Sequence, residues 1–264
     1  MLVKQIHWFM HMVARYIPVT MHMTRSALKK DISGTFAGML WWIIEPLFYT
    51  FIYYFLFAVI FEVRSENFAL MLLFGLILWR WIALCINSGS SSVVARTALM
   101  RQVDIPKIIF PVESVLRETI KFLIGFGLIA AVFLVFGYLS FEIIYWFPVI
   151  LGLSVFFLTS LVLITSVIMT FVPDLKNLIR LGMRALVFVS GVFFTPEQVP
   201  ENLRTLFMMN PFAVIIDSFR RVCLFGEAPI LGWLIYVLGL SVILASIGLY
   251  MHIKYNRIMP RYLI

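Results

Sequence analysis

The chain has 264 residues, 62% hydrophobic and 13% charged, with 21 Lys and Arg against 13 Asp and Glu and a net charge of +8. A water-soluble domain carries about a quarter charged residues and cannot hide this much apolar surface at this length. The composition therefore excludes a soluble globular protein and points to several membrane crossings of ~20 residues each. The positive balance does not mark a nucleic-acid binder, because the basic residues fall between apolar runs, where they set membrane orientation.

Residues 1–35 are predicted to form a cytoplasmic interfacial segment. Leu2, Ile6, Phe9, Met10, Val13 and Ile17 recur at helical spacing, which describes an amphipathic helix lying in the membrane surface. The segment lacks a continuous apolar stretch ending in a small-residue cleavage site, so it does not read as a cleavable signal peptide. His7 and His11 lie four apart but have no carboxylate or thiolate partners, and no metal site is assigned to them.

The first span is predicted over 36–61. It carries Gly38, which with Gly34 makes a Gly-x-x-x-Gly pair, and Glu45-Pro46, where a kink is expected. Further spans are predicted over 68–86, 112–139, 144–171, 178–194 and 230–253. Cys85 and Cys223 fall near opposite membrane faces, so no disulfide is expected. Six crossings put 1–35, 87–121, 172–184 and 254–264 on one side. Those segments hold sixteen of the 21 Lys and Arg residues, which places both termini in the cytoplasm. Between the last two spans, Pro200 and the pair Asn210-Pro211 can each open a short helix. In the second, Phe212, Ile215, Ile216 and Phe219 share a face that leaves out Asp217, Arg220 and Arg221. Two short amphipathic helices folding back at the outer surface are predicted there.

No Gly-x-x-x-x-Gly-Lys-Ser/Thr loop occurs, so no phosphate cradle for ATP is recognisable. The acids are scattered and form no catalytic set. Two ionisable groups fall inside spans, Glu45 and Arg80. Charge in hydrocarbon must be paired or wet, so the two are expected to pair or to share a polar cavity, as a packing device or as a site for an anionic substrate group. Aromatics are dense in the first two spans: Trp41, Trp42, Phe48, Tyr49, Tyr53, Tyr54, Trp79 and Trp81. Interface belts or packing account for most of them individually; as a set they also suit the apolar faces of sugar rings.

Four stretches carry a family resemblance: LKKDISGTFAGMLWWIIEPL at 28–47, LMRQVDIPKIIFPVESVL at 99–116, PDLKNL at 173–178, and SGVFFTPEQVPENL at 190–203 followed by MNPF at 209–212. In this order they resemble the ABC-2 type exporter permeases, and among these the polysaccharide exporters of O-antigen, capsule and teichoic acid type. The resemblance implies an all-α membrane protein with six transmembrane helices, an N-terminal interfacial helix, a cytoplasmic coupling helix and two re-entrant external gate helices. Its parts are 1–35, a transmembrane domain over 36–254 and a cytoplasmic tail over 255–264. It implies a homodimer in the bacterial inner membrane served by two copies of a separate ATPase, with ATP and Mg on that partner and no cofactor in this chain.

Carried onto matching positions, the resemblance implies ATPase coupling through about 95–103, with Arg96, Leu99, Met100 and Arg101, and a second contact at Asp174. It implies an external gate at Pro200, Asn210, Pro211, Phe212, Asp217 and Arg220. The first and fifth spans would line the path; from the residues themselves, Trp41, Trp42, Glu45, Tyr49 and Tyr53 of the first span and Arg80 of the second are the candidate path residues. Arg80 and the Met-rich N-terminus depart from the family pattern. Export of a drug or simple lipid, a membrane-embedded enzyme and an ATP-independent transporter stand as the alternatives.

Overall fold

The computed structural model describes residues 16–33, 38–62, 68–103, 105–135 and 142–262, and the described residues are almost entirely helical. The predicted helix over 2–17, His7, His11, Gly34 and Arg64 lie outside them. In chain order the helices are α1 (Ile17–Ser33), α2 (Trp41–Tyr54), α3 (Phe68–Ser90), α4 (Thr97–Gln102), α5 (Ile109–Val135), α6 (Glu142–Phe171), α7 (Leu175–Val189), α8 (Glu201–Met208), α9 (Pro211–Arg220), α10 (Leu231–Tyr255) and α11 (Met259–Tyr262).

Four helical stretches among the described residues are long and apolar enough to cross a membrane: Gly38–Ile60, Phe68–Ser90, Tyr145–Phe171 and Leu231–Tyr255. The first joins a 3-10 turn, α2 and a closing π turn over Phe55–Ile60. Gly38 enters it at φ +50°, a left-handed turn that suits glycine. Pro46 lies inside α2, and the helix runs on through it to Tyr54.

The predicted fifth span, 178–194, needs correction. Its helix is 15 residues, Leu175–Val189, so it begins three residues earlier and ends five residues earlier than predicted. It stops because Gly191 turns the chain at φ +72°. The predicted third span begins earlier, at Ile109, and carries Glu113, Arg117, Glu118 and Lys121 in its first half.

α3 is the centre of the molecule. It packs against α2, α5, α6, α7 and α9, and Leu72, Phe74, Leu78, Trp81, Ile82 and Cys85 are all nearly inaccessible. Apolar side chains all round α3 suit a helix surrounded by protein rather than lipid. Trp81 stacks on Phe122 of α5 at 4.4 Å between ring centroids, and its indole N–H donates to Thr119 at 3.2 Å. Cys85 and Cys223 are both free and buried, as expected.

α6 is held between α3 and α10 by glycines. Gly89 faces the Val162 side chain, and Ser90 bonds Thr165 beside it at 2.7 Å. On the other flank, a Cβ at Gly248 would lie 2.7 Å from Leu163 Cβ. Small residues at such crossings let helices approach within van der Waals reach, which substitutes for the missing hydrophobic force in lipid. Gly248→Val forces α10 off α6, an overpacking penalty of about 1–3 kcal/mol. A lowered thermal midpoint in detergent is the expected readout, and an unchanged midpoint would refute this account of the crossing.

Candidate functional site

Three groups of residues carry chemistry, one along α2, one at the end bearing α1, α4 and α11, and one at the opposite end around α9.

Along α2, Trp41, Glu45 and Tyr49 follow one another at i, i+4 spacing, so they fall on one strip of the helix. Glu45 Oε2 lies 2.5 Å from Arg80 Nη1 of α3. The contact joins two charges without a well-aligned N–H, and the Arg80 Nη1 atom makes no other hydrogen bond. Glu45 is 45% exposed and Arg80 24%, so the pair is covered by α3 on one side only. Trp41 and Tyr49 are exposed. Trp42 sits under Lys121 of α5, whose ammonium is 5.9 Å from the ring centroid. Tyr53 meets Phe193 edge-on at 4.8 Å, and Phe57 and Phe188 join the same ring cluster. The structure thus brings Glu45 and Arg80 together. Trp41 and Tyr49, on either side of Glu45 along that strip, stay about half exposed among the described residues.

The same neighbourhood holds charges that the sequence reading did not single out as a site. Lys121 pairs with Asp31 of α1 and, at 3.4 Å, with Glu118, which also accepts from Arg117 at 3.1 Å. These contacts pin α1 onto α5. The available signal was charge at 113, 117 and 121 on one face of an otherwise apolar helix.

At the α4 end, a short 3-10 turn, Val94–Arg96, leads into α4. Arg96 pairs with the fully buried Glu113 of α5 and lies 5.6 Å from the Phe110 ring centre. It is thus tied inside the chain rather than standing free for a partner. Met100 is buried and Leu99 partly so, whereas Ala95, Ala98, Gln102 and Val103 are exposed. The Arg101 side chain lies outside the described residues. Asp174 is exposed, and its carbonyl starts α7 by accepting from Asn177 and Leu178.

At the α9 end, both short helices predicted from Pro200 and Asn210-Pro211 are present. Pro200 precedes α8, and Asn210 caps α9 by accepting from Phe212 N at 3.0 Å while donating to Val189 O and Ser190 Oγ. The amphipathic reading of the second helix is corrected. Residues 212–220 are all buried, Asp217 and Arg220 included. The polar face is covered because the 190–194 turn and α3 close over it. Arg220 donates to Phe194 O at 3.1 Å, Met71 O at 2.9 Å, Val192 O at 2.5 Å and Gly191 O. Gly75 of α3 leaves room for it, since a Cβ there would collide with the guanidinium and Val192 O. Asp217 serves the next residue instead: Arg221 donates to Asp217 at 2.9 Å, Glu227 at 3.0 Å and Glu197 at 2.7 Å. Burial raises the Glu197 carboxyl, but hydrogen bonds from its own backbone and Thr195, with Arg221 and Arg204 nearby, bring it net below its usual value.

Residues 19–224 match the ABC-2 type transporter family, a span reaching from within α1 into the π turn Arg221–Phe225 and so taking in α2, α4 and α9. The chain belongs to the ABC-2 type transporter family. This ABC-2 chain is also similar to two O-antigen export system permease proteins RfbA of Klebsiella pneumoniae. One is 26% and the other 24% identical over 238 residues, in each case 88% of this chain and 91% of the relative. An O-antigen export system permease protein RfbA of Myxococcus xanthus is 22% identical over 232 residues, 87% of this chain and 89% of the relative. As an ABC-2 permease the chain is a transport subunit rather than an enzyme, and membership implies an ABC ATPase as partner.

Proposed function

We propose that this chain is the transmembrane subunit of an exporter that moves a lipid-linked polysaccharide of the O-antigen class across the bacterial inner membrane. The observation that carries the reading is end-to-end similarity to permeases of O-antigen export. The α2 strip supports it: an ion pair and aromatic faces lie along a helix of which, among the described residues, few positions are fully buried. Such a strip suits a path walled by two copies, with Arg80 meeting a phosphate group and Trp41, Trp42, Tyr49 and Tyr53 offered to sugar faces.

In this reading the chain forms a homodimer with six crossings per copy, α5 and α7 completing the four long apolar spans. Both termini are cytoplasmic, as the Lys and Arg distribution requires. ATP and Mg bind two copies of the partner ATPase, which meet the permease around 95–103 and Asp174. ATP binding draws the ATPase-contacting surfaces of the two copies together and opens the path between the copies by a rigid-body change. The helices α8 and α9, with Pro200, Asn210, Pro211, Phe212, Asp217 and Arg220, form the external gate.

The deciding experiment is deletion of the gene in its native background. Loss of surface polysaccharide, accumulation of the lipid-linked polymer inside and rescue by the wild-type gene are expected. Normal surface polysaccharide with altered drug sensitivity or lipid content would replace the reading with export of those compounds. Arg101→Glu should reduce export by about tenfold or more while the permease still reaches the membrane at normal levels. Undiminished export by that variant would remove Arg101 from the coupling contact.

A further inference from the structure

The helix α4 has six residues, too few to hold its own shape in water, where helices below ~12–15 residues are marginal. Something outside it must fix its position. Met259 of α11 is fully buried in a cluster with Val93, Met100, Phe110 and Val167, edged by Met23, Leu99, Phe171, Met251 and Tyr255. This one side chain therefore sits where α4, α5, α6 and α10 converge. Three residues before it, Asn256 Oδ1 accepts the backbone N–H of Lys107 at 3.0 Å, which fixes the chain leaving α4. Three residues after it, the Tyr262 ring meets Phe171 edge-on at 5.0 Å. Phe171 is the last residue of α6, just before the turn that carries Asp174.

We propose that residues 256–262 form a strut that locks α4 and the α6–α7 turn into one rigid platform for the ATPase. The inference rests on the functional reading above, which places ATPase contacts at both of those elements. Without the strut, α4 and α6 are joined by the α3–α6 crossing and by Met100 and Val167 in the shared cluster, and the exit from α4 and the end of α6 lose the contacts that residues 256–262 add. With it, Asn256, Met259 and Tyr262 tie three points of a single surface: the exit from α4, its buried side, and the end of α6. These are positioning residues, and none needs to touch ATP or cargo. Apolar contacts suit the task, because they resist shear without the desolvation cost of buried charge.

The test uses the complete permease–ATPase complex in lipid, with spin labels at Gln102 and Asp174, both exposed. In the wild type, one narrow label-to-label distance persists through the ATP cycle. Met259→Ala and Tyr262→Ala broaden that distribution, Met259→Leu restores it, and a control pair at Leu203 and Ile235 stays unchanged. Tyr262 is 68% exposed, so its truncation tests the strut even where Met259→Ala fails to fold. Polymer exported per ATP hydrolysed falls at least about fivefold in the two alanine variants, while the ATPase stays bound. A narrow distance in both variants, or a wild-type pair that separates during turnover, overturns the strut. A wild-type permease that retains no ATPase overturns the functional reading instead, and the coupling role of the strut with it.

Discussion

Arg220→Met is expected to unfold the α9 end of the molecule while sparing its centre. The guanidinium is buried and, among the described residues, forms no ion pair with a carboxylate; it donates to four backbone carbonyls, three from the 191–194 turn and one from α3. Methionine fills much of the volume but donates nothing, so four carbonyls face each other in an apolar interior. Each unmet acceptor costs about 1–3 kcal/mol, partly offset because a charge no longer has to be buried. A net loss of roughly 3–5 kcal/mol follows. Arg220→Lys retains the charge but offers a compact ammonium in place of a fork, and should recover only part of the loss.

The two buried cysteines report where the damage lies. Cys223, three residues from the lost anchor, should become open to maleimide, while Cys85, buried in the last third of α3, stays protected. Equal labelling of both would mean global unfolding, and no labelling of Cys223 would show that the carbonyls find other partners. The same geometry explains why α9 carries so many polar residues yet is buried. Its helix is secured by backbone acceptors, which leave no trace in side-chain composition.

The charge pair on α2 gives the second large effect. Arg80→Glu places two carboxylates at a point where Glu45 Oε2 lies 2.5 Å from the guanidinium. A single charge at the centre of a spanning helix costs about 2.5–3.5 kcal/mol, and a like-charged neighbour adds to it. Export should fall below detection, with reduced protein in the membrane. The informative variant is the exchange Glu45→Arg with Arg80→Glu. It restores the attraction and should restore membrane levels to near wild type. Export should remain at least about tenfold down if Arg80 acts in the proposed path, because the cation now sits on α2 and not at position 80. Full recovery of export by the exchange would reduce the pair to a packing device.

Much of this architecture was written in the order of residues. Apolar runs of membrane-spanning length gave the positions of α2, α3, α6 and α10, since lipid demands that pattern whatever the neighbours are. Pro200 and Asn210-Pro211 gave the starts of α8 and α9, because capping is a local matter of one side chain and the next few N–H groups. The pairing of Glu45 with Arg80 was legible for a similar reason: a charge in hydrocarbon leaves few options.

Other features depended on which surfaces meet. α7 ends early because Gly191 turns the chain back over Arg220. The polar side of α9 is buried because the acceptors for it come from α3 and residues 191–194, at least 26 positions earlier in the chain. Arg96 looks like a free cation in a basic loop, and only the fold brings the buried Glu113 to it. Met259 looks like one apolar residue in a basic tail, and only the fold sets it behind α4. The sequence alone determined the membrane class, the strongest spans and the helix starts, because these follow from local composition and backbone chemistry. Tertiary structure decided which charges are anchored, which helix is central and what packs behind α4, because those depend on partners distant along the chain.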